Sequence, residues 1–406
     1  MNNIEVITFG CRLNSYESEV IKKILIDNNI YIDNKDIIIF NSCAVTKEAE
    51  RQLRQNIRKI KKEKQNAVIG VVGCAIQVNK DTYINMPEVD FIIGNNKKLE
   101  LASYTNLKNN NIIMEDVFKN NRFSTELITG FENKARAFIQ IQNGCDNQCT
   151  FCLTRLARGY SVSTPSKQII EQIKKLIDNN YKEIVLTGID ITDYGKRLDE
   201  DVNLGKLIKK ILKETQVERL RISSLDIADL NEDLDEVLKY EKRLMPHIHL
   251  SLQSGDNTIL KRMLRRHTRE QVLEKCYNIL EVRPEVVIGA DLIAGFPTET
   301  DEMHQNSIKI IQELPITYGH IFPYSERPET KASLMPQVVK YVRKQRAKEL
   351  REECDKYLKI LKNKLKGTKQ KVLIEGNGMG RLENYLQVKI DDKFSNCVGQ
   401  IVETML

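Results

Sequence analysis

ARAFIQIQNGCDNQCTFC, residues 135–152, joins an apolar strand-like run to three cysteines spaced C-x3-C-x2-C. Its first eight residues read as a buried strand, and Cys145, Cys149 and Cys152 fall in the loop that leaves it. A structural zinc site closes its tetrahedron with four ligands. A four-iron, four-sulfur cluster held by three thiolates is one short of the usual four, which leaves one iron open to a small molecule. On spacing alone, zinc or another iron–sulfur arrangement stays open as an alternative.

Downstream, strand-like runs recur as KEIVLTG (182–188), RLRISS (219–224), HIHLSL (247–252), EVVIGADLIAG (285–295) and YGHIFPYS (318–325). Helix-periodic segments such as QIIEQIKKLIDNN and LGKLIKKILKET separate them. With 135–142 these make six β/α units, which predict an α/β fold with a partial barrel of parallel strands and chemistry at its carboxyl edge. Upstream, IEVITF, DIIIF, AVIGVVG and FIIG alternate with helical patterns, which predicts an open, parallel α/β domain. Cys11, Cys43 and Cys74 each follow one of these runs. Carboxyl ends of neighbouring parallel strands lie side by side where such sheets bind ligands, so the three thiols are expected to converge.

The polar stretch from Lys108 to Glu126 reads as a linker. A long charged helix is expected from Pro336 to about Lys366, and three alternating runs after Gly367 predict a small β module. So few residues make a weak core, and the module is expected to dock on the rest. The boundaries drawn are residues 1–125, 131–366 and 367–406.

A chain of 406 residues, 41% hydrophobic and 29% charged, has the composition of a folded globular protein. The amino terminus has no basic, apolar leader pattern and no run of about 18 apolar residues occurs, so a membrane is not expected and the cytoplasm is. Nine cysteines in a reducing compartment point to metal ligation, catalysis or burial rather than disulfides. Cys276, Cys354 and Cys397 lack partners at ligand spacing and read as structural. The net charge of +7 and the basic helix KEAERQLRQNIRKIKKEK (47–64) suit a polyanionic partner, although a solvated helix face is the plainer reading of the latter.

The C-x3-C-x2-C triad with Phe151 before its last cysteine and six β/α units behind it resembles the radical S-adenosylmethionine (SAM) enzymes. TFGCRLNSYESE, NSCAVT, VVGCA, TGID, HLSLQSGDNTILKRMLRRHT, DLIAGFPTE and FPYSERPETKA, in that order, are similar to the motifs of the methylthiotransferases within that superfamily. The resemblance spans essentially the whole chain. It implies an amino-terminal domain with a second cluster, a central radical SAM barrel and a carboxyl-terminal TRAM-like RNA-binding module. It further implies two [4Fe-4S] clusters, one on Cys145, Cys149 and Cys152 that cleaves SAM to a hydrogen-abstracting radical, and one on Cys11, Cys43 and Cys74 that offers sulfur.

For SAM, the resemblance singles out Gly188 and Asp190 in TGID and backbone at Phe151. Ser223, Ser224, Gln253, Ile293 and Gly295 are further candidates, with strand-end packing as their alternative. Arg158 and Arg327 are expected at barrel edges, either functional or as ion-paired structural groups. GCRLNSYESE and FPYSERPETKA resemble the enzymes acting on N6-threonylcarbamoyladenosine at tRNA position 37 more than those acting on isopentenyladenosine or on a ribosomal protein, which stay as alternatives. The implied partners are a tRNA anticodon stem-loop, SAM and an electron-donor protein, with the two Lys- and Arg-rich helices as phosphate contacts. Arg155, Val162 and Glu329 depart from the family pattern near the substrate side. A non-catalytic RNA-binding protein with structural metal sites is the reading from another class.

Overall fold

The computed structural model describes residues 3–30, 35–105, 107, 111–119, 126–132 and 134–406. The first sheet contains β1 (Ile4–Thr8), β2 (Ile37–Ser42), β3 (Val68–Gly73), β4 (Phe91–Ile93) and β5 (Asn111–Ile113), all parallel and in that spatial order. Between them run α1 (Arg12–Asp27), α2 (Lys47–Glu63), α3 (Cys74–Val78) and α4 (Lys80–Ile84). Every residue of β2 and β3 is buried, because helices cover both faces of a parallel sheet and leave no polar side. β5 corrects the linker reading. An apolar pair, Ile112–Ile113, sits inside the polar stretch and completes the sheet beside β4, while residues 108–110 and 120–125 of that stretch lie outside the described residues.

The central unit contains β6 (Arg136–Gln140), a short ribbon of β7 (Gln142–Asn143) and β8 (Val162–Ser163), and α5 (Thr154–Arg158) within it. Then come α6 (Ser166–Asp178), β9 (Glu183–Thr187), α7 (Leu204–Glu214), β10 (Arg219–Ile222), α8 (Glu232–Tyr240), β11 (His247–Gln253), α9 (Asn257–Arg262) and α10 (Arg269–Val282). β12 (Val287–Ala294), α11 (Asp301–Glu313), β13 (Tyr318–Pro323) and α12 (Lys340–Leu365) complete it. The strands form two parallel sets, β10-β9-β6 and β11-β12-β13. Parallel bridges at Leu220–Leu244 and Leu225–Leu250 join the sets into one six-stranded wall. Helices pack outside it through helical spacing; α7 buries Leu204, Leu207, Ile208 and Ile211 in the same core as Ile184, Leu186, Leu220 and Ile222. α12 begins at Lys340, four residues later than its periodicity predicts, with Val339 still extended.

After Gly367 the chain forms β14 (Lys369–Gly376), β15 (Met379–Leu382), β16 (Gln387–Lys389) and β17 (Ile401–Met405), antiparallel in the order β16-β15-β14-β17. The alternation predicts three strands; β15 is additional, since GMGRL resembles a turn. Gly376, Asn377 and Gly378, all at positive φ, make the tight connection that lets it pair with β14. Only Val372, Ile374, Leu382 and Leu386 are fully buried in this module's own cluster. It is held instead on the barrel. Arg219 donates to the Lys371 and Arg381 carbonyls (2.9 and 3.2 Å), and Arg221 to those of Leu382 and Glu383 (2.8 Å each). The Tyr385 ring stacks on His247 at 4.5 Å. No helix among the described residues is long and apolar enough to cross a membrane.

Candidate active site

Cys11 caps α1 directly after β1, Cys43 follows β2, and Cys74 opens α3 after β3. Because the three strands are adjacent and in register, their ends carry the cysteines to one sheet edge. Two glycines permit this. Gly10 has φ +95°, and a Cβ there would stand 2.7 Å from the Cys43 sulfur; Gly73 has φ +98°, and a Cβ would stand 2.8 Å from Asn41 Oδ1. Asn14 pins the loops together by donating to the Phe9 and Ser42 carbonyls (2.7 and 2.9 Å) and accepts from the Cys11 thiol at 3.9 Å. Asn95 donates to the Cys74 sulfur at 3.4 Å.

The second triad lies at the carboxyl end of β6. Its loop is held by Cys145 N–H on the Gly159 carbonyl and Cys152 N–H on the Cys149 carbonyl, each 3.1 Å. Thr154 N–H donates to the Cys152 sulfur (3.3 Å) and Arg265 Nη1 to the Cys149 sulfur (3.6 Å). Such donors to sulfur suit bound thiolates and tune a cluster's potential. Burial raises the free thiols of Cys43 and Cys145. Two groups of possible ligand atoms among the described residues converge within 4.8 Å, and neither is a cysteine triad.

Beside Cys145, Asp190 accepts from Asn147 (2.9 Å), Thr192 (2.6 Å) and the Cys145 thiol (3.8 Å). Burial, then the neighbouring Asp193, pushes Asp190 up to about 6. It converges with Asp226 and Asp229, which Arg265 and Arg266 already pair, so Asp190 is the carboxylate of the three placed to take an ammonium group. Gly188 lies close against the β7 loop. A Cβ there would meet Gln142 at 2.8 Å, and the Gln142 side chain accepts from the N–H groups of Ile189 and Asp190. Phe151 and Ile293 pack on one small apolar cluster with Phe296, the two phenyl rings edge to face at 6.3 Å. Ser223 is buried at the end of β10 with its N–H on the Leu186 carbonyl, and Ser224 beside it is half-buried. Gln253 ends β11 at φ 68°. Gly295 sits against Arg343, which leaves no room for a Cβ.

The loops that carry the two triads are tied together through α5, which starts two residues after Cys152 and ends at Arg158. The buried Arg158 guanidinium spans to the first domain, donating to both Glu17 oxygens (2.8 and 2.9 Å) and to Asn14 Oδ1 (2.6 Å). Lys98 reaches the same Glu17 carboxylate at 2.6 Å. Asn95, besides touching Cys74, donates to the Ala157 carbonyl of α5 (2.6 Å). Arg327 is also an inter-domain tie, to Glu50 at 2.6 Å. Both arginines are therefore ion-paired structural groups in this structure.

Much of the expected phosphate-contacting charge is engaged internally. On α2, Arg51 pairs with Glu48, Arg58 with Glu88, Lys59 with Glu63 and Lys61 with Asp90, and Lys64, just past it, pairs with Glu5. On α12, Arg343, Arg346 and Arg351 fasten the helix to the barrel. Asn14, Asn95, Asn147 and Arg265 support the triads, and sequence reasoning does not single them out. Asn14, Asn147 and Arg265 stand inside stretches quoted above, which is a usable signal; Asn95 carries none.

The model of the Radical SAM superfamily matches residues 139–311, and that of the uncharacterized protein family UPF0004 matches residues 3–94. The chain is 46% identical over 409 aligned residues to a protein of Rickettsia prowazekii named threonylcarbamoyladenosine tRNA methylthiotransferase MtaB, covering 100% of this chain and 95% of that one. It is 34% identical to the protein of the same name in Aquifex aeolicus, with 98% of each covered. Among solved structures, the radical SAM methyltransferase TsrM of Kitasatospora setae shares the fold, with a TM-score of 0.58 and 11% identity over 82% of this chain and 75% of that one. With its sulfur-bearing loops on two adjoining parallel sheets, the chain belongs to the radical SAM methylthiotransferase family, in the group of the threonylcarbamoyladenosine tRNA methylthiotransferases.

Proposed function

We propose that this chain converts N6-threonylcarbamoyladenosine at position 37 of tRNA to its 2-methylthio form. The carrying observation is that two cysteine triads at strand ends sit on domains bridged by α5, Asn95 and Arg158. End-to-end similarity to relatives of that name supports the substrate.

Cys145, Cys149 and Cys152 would hold one [4Fe-4S] cluster with SAM, and Cys11, Cys43 and Cys74 the other. When bound, these groups supply hydrogen abstraction from carbon and a sulfur donor. The chain orients and shields them. Asn147 and Thr192 aim the Asp190 carboxylate beside the SAM triad, where it suits the ligand's ammonium. Phe151 and Ile293 offer an apolar wall for adenine, with Gly188, Ser223 and Gln253 shaping the strand ends around it. Arg265 neutralises the Cys149 side while paired to Asp226 at 2.9 Å. The base beside an anticodon is presented in an exposed loop, so the partner is an anticodon stem-loop, read through unstacked bases and phosphates. A protein electron donor completes the set.

Anaerobic reconstitution is expected to load about eight irons per chain, four per cluster. Cys149→Ala is expected to abolish SAM cleavage. Saturation by a single zinc with no SAM cleavage contradicts the reading.

A further inference from the structure

On the inner wall of the barrel, β11, β12 and β13 place His249, Asp291 and His320 on one face; Asp291 is directly paired with His320 in the β12–β13 register. Asp291 Oδ1 takes His320 Nδ1 at 2.9 Å and His249 Nε2 at 3.2 Å. Gly289 makes room for this, since a Cβ there would stand 2.5 Å from His249 Nδ1. Burial raises the Asp291 carboxyl, but the two imidazoles outweigh it and hold it well below the usual range. The carboxylate therefore fixes Nδ1 as the donor on His320 and leaves Nε2 directed elsewhere.

Two features mark this as a ligand-facing group rather than wall packing. The His320 side chain is 65% exposed although its neighbours on the strand are mostly covered. It also lies two residues before Phe322, which pairs with Ile293, the residue on the apolar wall offered to adenine. The surroundings are cationic. Arg12, immediately after Cys11, donates to Tyr385 Oη at 2.7 Å and has no carboxylate partner among the described residues. Burial, then the charges of Arg221, His249, Arg12 and Arg381, push His247 well below the usual imidazole range. A wall of this kind is a poor match for an apolar prenyl substituent and a good one for an acid.

We propose that His320, oriented by Asp291 and backed by His249, is a specificity-determining residue that binds the carboxylate of the threonylcarbamoyl group. This rests on the functional reading above and names the part of the substrate that the barrel wall reads. Asp291 is the positioning residue, holding the ring so that its outward nitrogen, Nε2, faces the ligand oxygen. Hydrogen bonds to charged groups contribute about 1.5–3 kcal/mol, so the preference is on the order of 10–100-fold.

The test uses reconstituted full-length enzyme and anticodon stem-loop RNA carrying either threonylcarbamoyladenosine or its carboxyl methyl ester. The readout is the ratio of kcat/KM for acid over ester, taken within each variant so that incomplete folding or cluster loading cancels. The wild type is expected to prefer the acid by on the order of 10–100-fold, mainly through KM. His320→Phe is expected to bring the ratio near one, Asp291→Asn to lower it, and His320→Lys to retain a preference by supplying a donor to the carboxylate at the same place. Equal use of both RNAs by the wild type, or an unchanged ratio in His320→Phe, overturns the inference while leaving the functional reading standing. Wild-type enzyme that cleaves SAM but converts neither RNA overturns the reading and the inference with it. Activity on both RNAs that requires an added divalent cation, lost with His320, overturns the carboxylate role in favour of a metal site.

Discussion

Arg158 and Glu17 show how much of the site depends on buried charge. Arg158 is 1% exposed, yet it sits between two domains with its guanidinium bonded to Glu17, Asn14 and Asn143. Removing one partner of such a pair leaves the other buried and uncompensated. Arg158→Met is therefore expected to lower the unfolding free energy by about 3–5 kcal/mol, measured by denaturant titration. Glu17 gives the pH dependence. Burial raises its pKa, but Arg158 and Lys98 outweigh that and hold it at about 2, below its ordinary value of 4.5. A carboxyl depressed on folding contributes stability that is full above its unfolded pKa and is lost as pH falls through the folded one. Unfolding free energy is thus expected to drop between about pH 4.5 and 2, and Glu17→Gln to flatten that segment of the curve. A wild-type curve level across that range contradicts this role for Glu17.

Among elements, the carboxyl-terminal β module behaves as part of the barrel. Its own buried cluster is small, whereas its carbonyls satisfy Arg219 and Arg221, which are 2% and 3% exposed. Tyr385 sits among Arg12, Arg136, Arg221 and Arg381, its ring 4.4–5.7 Å from their guanidinium carbons. Each domain thus contributes to one aromatic–cation cluster. Thermal unfolding followed at the module and at the barrel is expected to give coincident transitions; a separate, earlier transition for the module contradicts the docking. The need to dock is legible in sequence, since about 40 residues make a weak core. The means is not. Arg219 and Arg221 read as ordinary strand residues, and their acceptors lie far along the chain, Lys371 being 152 positions from Arg219 and Leu382 161 from Arg221.

Across the whole molecule, legibility follows locality. The six barrel strands and the first four strands of the amino-terminal sheet announce themselves by apolar runs, and the cysteines by their place at strand ends. β5 and β15 are hidden because Ile112–Ile113 follows a run of asparagines and Met379–Leu382 is interrupted by glycines. What spacing cannot express is which distant side chains meet: Asn95 with Cys74, Arg265 with Cys149, His320 with Asp291. On the basic helix α2 the charge pattern suggests an RNA surface, and the structure adds what spacing cannot show, that several of its cations also pair with acids of this chain.

The central claim is that two cysteine triads, on domains bridged by α5 and Arg158, serve one sulfur insertion on threonylcarbamoyladenosine. Nucleoside mass spectrometry of tRNA from a strain lacking its own such activity, complemented with this chain, tests it most directly. The 2-methylthio derivative of threonylcarbamoyladenosine is expected with the wild-type chain and absent with either Cys43→Ala or Cys149→Ala. An unmethylthiolated nucleoside with the wild type, or the appearance of 2-methylthio-isopentenyladenosine instead, contradicts it.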